Sequence, residues 1–398
     1  MKQRLWLVSE LFPPEETSTG YIMGEIANAM TKKYDVTVVC GPAVYDKNKK
    51  QVANNKFILD DGIKLIRVEG IEEDKNCKLS RIKKFVLMSY RLYKVLNSSV
   101  RKEDKVLMVS NPFPMIVLGA WLRRRRKFHL TMLVHDVFPE GLYTDMNLPL
   151  VAYRIMGCIF NRAYATVDTM ISLGRDMTEV MQNKVLGFKS AQKQKVVQIE
   201  NWGDIVSIQP RKTDIVTTDK IVIEYAGNVG KAQGVSEFIK ILEETGNENL
   251  QFSIWGTGSE FENIKKYIKE KQLKNIMLNG AYSRSQQYDV LNACDLALIK
   301  LVDGMYGLGV PSKSYNIMAA GKPILFIGDL RSEIALTVKE NGLGYCFDTH
   351  DREGLLIFLK SLSVAEKTVL VEMGMKSRKI CEEKYSKEVI LEKFVQTL

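Results

Sequence analysis

A chain of 398 residues, 45% hydrophobic and 26% charged, holds enough apolar material for two lobes of ordinary size. Lysine and arginine exceed aspartate and glutamate by 57 to 47, and the resulting net charge of +10 asks for an anionic partner: a nucleotide, a nucleic acid or a membrane surface. Six scattered cysteines without a CxxC pair and only three histidines argue against a disulfide framework, a zinc site and a His-rich metal centre. No apolar run approaches the ~20 residues that cross a bilayer.

Short apolar runs bounded by polar or glycine-bearing turns predict strands at 5–9, 35–40, 64–68, 105–110, 130–135, 169–173 and 196–199, with helical periodicity between them. The first of these runs is too short for a signal-peptide core, which leads us to expect a cytoplasmic protein. The turn after it, from Glu10 to Gly24, is long enough to hang over a ligand through Thr19 and Gly20, or is a solvated loop with Thr19 as a helix cap. A helix predicted over 79–102 places Ile82, Phe85, Val86, Tyr93 and Leu96 on one stripe among six basic residues. It either rests on anionic lipid or turns the stripe to the core. The run Arg123-Arg-Arg-Arg-Lys127 ends another helix and exceeds what a helix C-terminus needs, so it points to a membrane or lipid-diphosphate contact.

The strand at 130–135 ends in His135-Asp136, followed by Glu140. A neutral imidazole can hydrogen-bond a ligand hydroxyl, and a carboxylate can orient a reacting group or receive its proton. The alternative is a satisfied histidine and a helix cap by Asp136. His129 and His350 read as structural. A polar break at 203–220 separates a second strand–helix series, with strands at 221–225, 251–255, 276–278, 296–300, 324–327 and 344–347. Alternation of this kind is the pattern of two parallel sheets covered on both faces by helices, α/β in class. Domains are expected at 1–205 and 206–380, with residues 381–398 closing back toward the first.

Three strands of the second series run into glycines. Gly227, Gly230 and Gly234 bracket Asn228, Lys231 and Gln233, and Gly256 and Gly258 follow Trp255, without the third glycine of a dinucleotide fingerprint because Phe261 stands there. The third is Gly304-Met-Tyr-Gly-Leu-Gly-Val-Pro-Ser-Lys-Ser-Tyr-Asn-Ile-Met-Ala-Ala-Gly-Lys-Pro323, in which a short helix begins near Ser312. The N–H groups of a first helical turn lack intrahelical partners, so a phosphate beside Ser312, Lys313 and Ser314 finds donors and a cation. No Asp-x-Asp, Walker A or Gly-x-Ser-x-Gly pattern is found.

The two longer glycine motifs resemble those of GT-B glycosyltransferases of family 4, in the bacterial O-antigen and capsule branch that includes N-acetyl-L-fucosamine transferases. The resemblance spans nearly the whole chain. It implies two doubly wound Rossmann-like domains facing across a cleft, a donor site in the second half and an acceptor site in the first. It also implies a nucleoside-diphosphate sugar as donor, UDP-linked, no cofactor, no metal and retention of configuration. The acceptor is expected to be a polyprenyl-diphosphate-linked saccharide at the inner face of the cell membrane. Members usually carry an Arg and a Lys five apart for the diphosphate, where this chain has Asn228 and Gln233, so Lys231 and Lys313 become the substitutes. The paired glutamates fall at Leu308 and Asn316, which leaves Asn316, or Glu333 further on, for the ribose. A sugar-nucleotide 2-epimerase of the same architecture is the nearest rival; nucleic-acid binding, suggested only by charge, is remote.

Overall fold

The computed structural model describes residues 2–15, 17–43, 57–71, 78–146, 149–211 and 219–398; Cys77 and residues 212–218 of the polar break lie outside them. The chain divides into two compact units. The first comprises Met1–Glu200, Gly307–Gly309 and Leu391–Leu398, the second Asn201–Tyr306 and Val310–Ile390. The boundaries thus fall at 200/201 and 390/391, not at 205 and 380, and three residues of the long glycine loop go with the first unit. Within that unit, Lys393 Nζ meets Glu200 at 2.8 Å and Lys33 Nζ donates to the Val395 carbonyl at 3.0 Å.

In chain order the first unit contains β1 (Gln3–Ser9), α1 (Ser18–Met30), β2 (Tyr34–Cys40), β3 (Lys64–Arg67), α2 (Lys78–Ser99), β4 (Lys105–Val109) and α3 (Pro114–Arg126). These are followed by β5 (His129–Leu133), α4 (Glu140–Met146), α5 (Leu150–Tyr164), β6 (Thr169–Ser172), α6 (Arg175–Val185) and β7 (Lys195–Gln198). All strands are parallel, in the order β3-β2-β1-β4-β5-β6-β7. The second unit contains β8 (Ile221–Ala226), α7 (Val235–Thr245), β9 (Leu250–Trp255), α8 (Phe261–Lys271), β10 (Ile276–Gly280), α9 (Gln287–Asn292) and β11 (Leu296–Lys300). After them come α10 (Lys313–Ala319), β12 (Ile324–Ile327), α11 (Glu333–Asn341), β13 (Gly344–Phe347), α12 (Arg352–Ser361), α13 (Lys367–Lys384) and α14 (Lys387–Thr397), the last of which ends in the first unit. Its parallel sheet has the order β10-β9-β8-β11-β12-β13.

Near-continuous apolar strands such as Leu296-Ala-Leu-Ile-Lys300, buried throughout, are what a parallel sheet covered on both faces requires. In β8, Ile221, Ile223 and Tyr225 point into a core shared with Phe238, Phe252 and Leu298. Glu224 points to the other face of the same strand, opposite Ser253 and Ala297. In each sheet the direction of winding reverses at one place, between β1 and β4 and between β8 and β11, and ligands of doubly wound sheets sit beyond the carboxyl ends of strands at such places. Gly227 follows β8 directly there.

Candidate functional site

Beyond β8, the loop from Gly227 to Gly234 is held open and rigid by its own groups. Tyr225 Oη donates to the Asn228 carbonyl at 2.5 Å, and the Gln233 amide oxygen accepts from the Gly230 N–H at 3.1 Å and from Asn228 Nδ2 at 3.4 Å. Gln233 Oε1 is therefore a clamp on the loop. The loop is also laced to the one after β9: the Gly227 N–H donates to the Trp255 carbonyl and the Val229 N–H to the Thr257 carbonyl, both at 2.9 Å. A Cβ on Gly256 would overlap the Gly227 carbonyl, and one on Gly258 the Val229 carbonyl. These two glycines serve loop-to-loop packing.

Lys313, the first residue of α10, lies over this loop. Its Nζ stands 3.5 Å from the centroid of the Tyr225 ring and 3.6 Å from where a side chain on Gly227 would start. It is buried and has no hydrogen-bond partner. Burial pushes the Lys313 ammonium down to about 7, and the ring face compensates it only in part. Among the described residues no carboxylate pairs with this buried ammonium at the switch point. Lys231, by contrast, is exposed at the start of a single 3-10 turn.

The other residues expected around α10 have local partners. Ser314 is buried with its hydroxyl donating to the Pro311 carbonyl at 2.7 Å, and Asn316 Oδ1 accepts from the Asp204 N–H at 3.0 Å. Ser314 closes the turn before α10, and Asn316 fastens the segment that enters the second unit. Ser312 precedes the helix without capping it through its side chain. Glu333 is buried in the first turn of α11, where Oε1 accepts from Thr337 Oγ1 at 3.0 Å.

In the first unit, Ser110 Oγ accepts from the backbone N–H groups of His135 (3.1 Å) and Asp136 (3.2 Å), which fixes the turn after β5. His135 Nδ1 lies 3.5 Å from Thr19 Oγ1, while Nε2 is buried without a partner. Burial drives the imidazole down to about 4, so it is neutral at physiological pH. Asp136 remains exposed at its surface, and partial desolvation raises its carboxyl above the usual range. Glu140 is not available for chemistry: both its oxygens hold Lys184 Nζ, at 2.6 and 2.8 Å, and Tyr153 donates to it at 3.2 Å. The cap of α1 is Thr17, whose hydroxyl accepts from the Gly20 N–H at 3.0 Å, and not Thr19. A Cβ on Gly20 would press on the Glu15 carbonyl and the Thr17 hydroxyl, so this glycine serves the same turn.

Two groups escaped the sequence reading. Tyr225 reads there as one more strand residue, and only the position of β8 beside β11 reveals the ring as a platform. Glu224 is buried, and burial pushes its carboxyl up to about 8, tempered by Lys322 and the Trp255 indole. An acidic residue inside an otherwise apolar strand was the available signal.

Residues 207–363 match the family described as Glycosyl transferases group 1. Over 98% of its length the chain is 29% identical to the "Probable glycosyltransferase WbjE" of Pseudomonas aeruginosa, covering 96% of that protein. Over 97% of its length it is 24% identical to the "Putative colanic acid biosynthesis glycosyl transferase WcaI" of Escherichia coli (strain K12), again covering 97%. The crystal structure of Anabaena HepE in complex with UDP-glucose superposes with a TM-score of 0.70 at 14% identity, over 99% of this chain and 98% of that one. Two parallel sheets wound as described, a matching transferase domain and relatives that extend over nearly the full length agree with one another: the chain carries a Glycosyl transferases group 1 domain and is a glycosyltransferase of the GT-B fold.

Proposed function

We propose that the chain moves a sugar from a UDP-sugar to a polyprenyl-diphosphate-linked saccharide in the assembly of a bacterial surface polysaccharide, O-antigen or capsule. The observation that carries this reading is Lys313, whose buried ammonium has a ring beneath it and no counter-ion. The UDP-glucose bound by HepE, and the colanic acid in the name of WcaI, support the donor and the pathway class. Work at the inner face of the cell membrane belongs to the same reading.

As the bond from the anomeric carbon to the diphosphate breaks, its electron pair leaves with the phosphate oxygen. Lys313 meets that charge without reorganising and without a divalent metal. In the first unit, neutral His135 offers Nε2 to a sugar hydroxyl. Asp136, made more basic by desolvation, orients the acceptor hydroxyl or takes up its proton. Retention at the anomeric carbon is part of the proposal.

Thermal unfolding against a panel of nucleotide sugars tests it. A ligand at about 100 times its Kd adds about 2.7 kcal/mol, and UDP-sugars should give the largest shift. Lys313→Ala should remove that shift; an equal shift in the variant overturns the donor assignment. Turnover that needs no acceptor, or that EDTA abolishes and manganese restores, overturns the reaction as written.

A further inference from the structure

We propose that the face of the first unit built by α2, α3 and α5 docks on an anionic lipid bilayer. This deepens the membrane-face part of the proposed function and rests on that part alone, not on the sugar-transfer chemistry. Three observations on the face itself carry it.

The first is charge. The three helices hold twelve of the chain's 57 lysines and arginines and none of its 47 aspartates and glutamates, so they account for the whole cationic excess. Not all of these cations are free to act outward. Arg123 is bound to Asp168, with Nε at 3.1 Å, Arg126 donates to the Asn97 carbonyl at 2.6 Å, and Lys84 meets Glu10 at 3.5 Å. That corrects the reading of residues 123–127 as one undivided patch. Lys83, Arg124, Arg125, Arg154 and Arg162 are exposed.

The second is apolar exposure. Of the twenty large hydrophobic side chains exposed among the described residues, nine stand on these three helices. On α5, Val151, Ile155 and Ile159 are 70%, 57% and 47% exposed at a spacing of four, which makes one outward stripe. On α2, Ile82, Val86 and Tyr90 repeat that spacing, while Met88, Leu92 and Leu96 are buried. The stripe expected on α2 therefore divides: its first half faces out, its second half faces the core.

The third is continuity. Between α2 and α5 lies α3, with Trp121 stacked 5.7 Å from Tyr93 of α2 and capped by Arg125 at 4.6 Å. Toward α5, a groove of about 540 Å³ runs past Trp121 and Ile159, with Arg124 and Arg162 on its walls. Aliphatic stripes, an aromatic residue and guanidinium groups on one outward face match the acyl boundary and the phosphates of an anionic bilayer. A second copy of the chain would set cations against cations across a two-fold contact, and a nucleic acid has no use for Val151 and Ile155.

The test is sedimentation of the full chain with phosphatidylcholine vesicles, with and without phosphatidylglycerol. We expect binding to the anionic vesicles only. The triple variant Val151→Ser, Ile155→Ser, Ile159→Ser and the double variant Arg124→Ser, Arg125→Ser should each lower partitioning about tenfold or more. Both change exposed residues and should keep the melting temperature and the UDP-induced shift of the parent. Failure of the parent to sediment, or parental sedimentation of both variants, overturns the proposal. So does a parent that self-associates through this face and ignores vesicles. A missing UDP shift with intact vesicle binding would count against the transferase reading alone.

Discussion

Lys184 of α6 reaches across to α4 and holds both carboxylate oxygens of Glu140, at 2.6 and 2.8 Å, with the lysine side chain only 7% exposed. Burial lowers the lysine's affinity for its proton, and Glu140 offsets that only in part. Removing one partner leaves the other uncompensated in a poor solvent. Glu140→Gln should therefore cost about 1–3 kcal/mol in urea unfolding. At a temperature well below the transition its turnover should stay near that of the parent. Parental stability with turnover down by orders of magnitude would return Glu140 to the reacting groups.

Tyr225 acts twice on the donor loop, through its hydroxyl on the Asn228 carbonyl and its ring under Lys313. The two can be separated. Tyr225→Phe removes only the hydroxyl and should cost about 1 kcal/mol of stability with a weaker effect on UDP affinity. Tyr225→Leu removes the ring as well and should weaken UDP binding more than Tyr225→Phe does, as titration calorimetry would register. Lys231→Ala should weaken it less than Lys313→Ala, because an exposed charge is screened.

The pH dependence of UDP binding follows from Lys313. In the free protein burial holds its ammonium at about 7, whereas a diphosphate beside it favours the charged form. Binding must then take up a proton near neutral pH, and affinity must fall as pH rises through 7 and beyond. Calorimetry in buffers of different ionisation enthalpy measures that uptake directly. Lys313→Met should abolish it; an uptake unchanged in Lys313→Met would place the titrating group elsewhere.

Glu224 provides a stability test of opposite logic. Its folded carboxyl titrates at about 8, above its unfolded value, so the folded state holds a proton that the unfolded state has lost from pH 5 upward. Stability must decline between about pH 5 and pH 8 by an amount on the order of 2–4 kcal/mol, and level off above. Glu224→Gln should flatten this decline, visible in melting temperatures across that range. A variant with the parental slope would show that the carboxyl ionises in place.

The thirteen strands of the described residues were legible from short runs between polar or glycine turns, most clearly the inner strands, which a doubly covered sheet buries throughout. The place of the Gly227 loop was legible too, since Gly227 had to follow a strand. What was not legible was the fate of individual polar side chains. Ser314, Asn316 and Gln233, expected to face a ligand, each bond a local backbone carbonyl or N–H. Sequence spacing places a residue at the end of a strand but does not rank the local groups that compete for it. The same holds for residues 123–127, where neighbouring arginines have separate tasks and Lys127 adopts a left-handed turn at φ 57°.

The backbone lacing between the loops after β8 and β9 also limits how this protein can change. With Gly256 and Gly258 pressed against the carbonyls of 227 and 229, the two loops must vary together or not at all. Mutational libraries aimed at a different nucleotide should keep those glycines, and Asn228 with its contact to Gln233, and begin at Lys231, whose side chain is exposed.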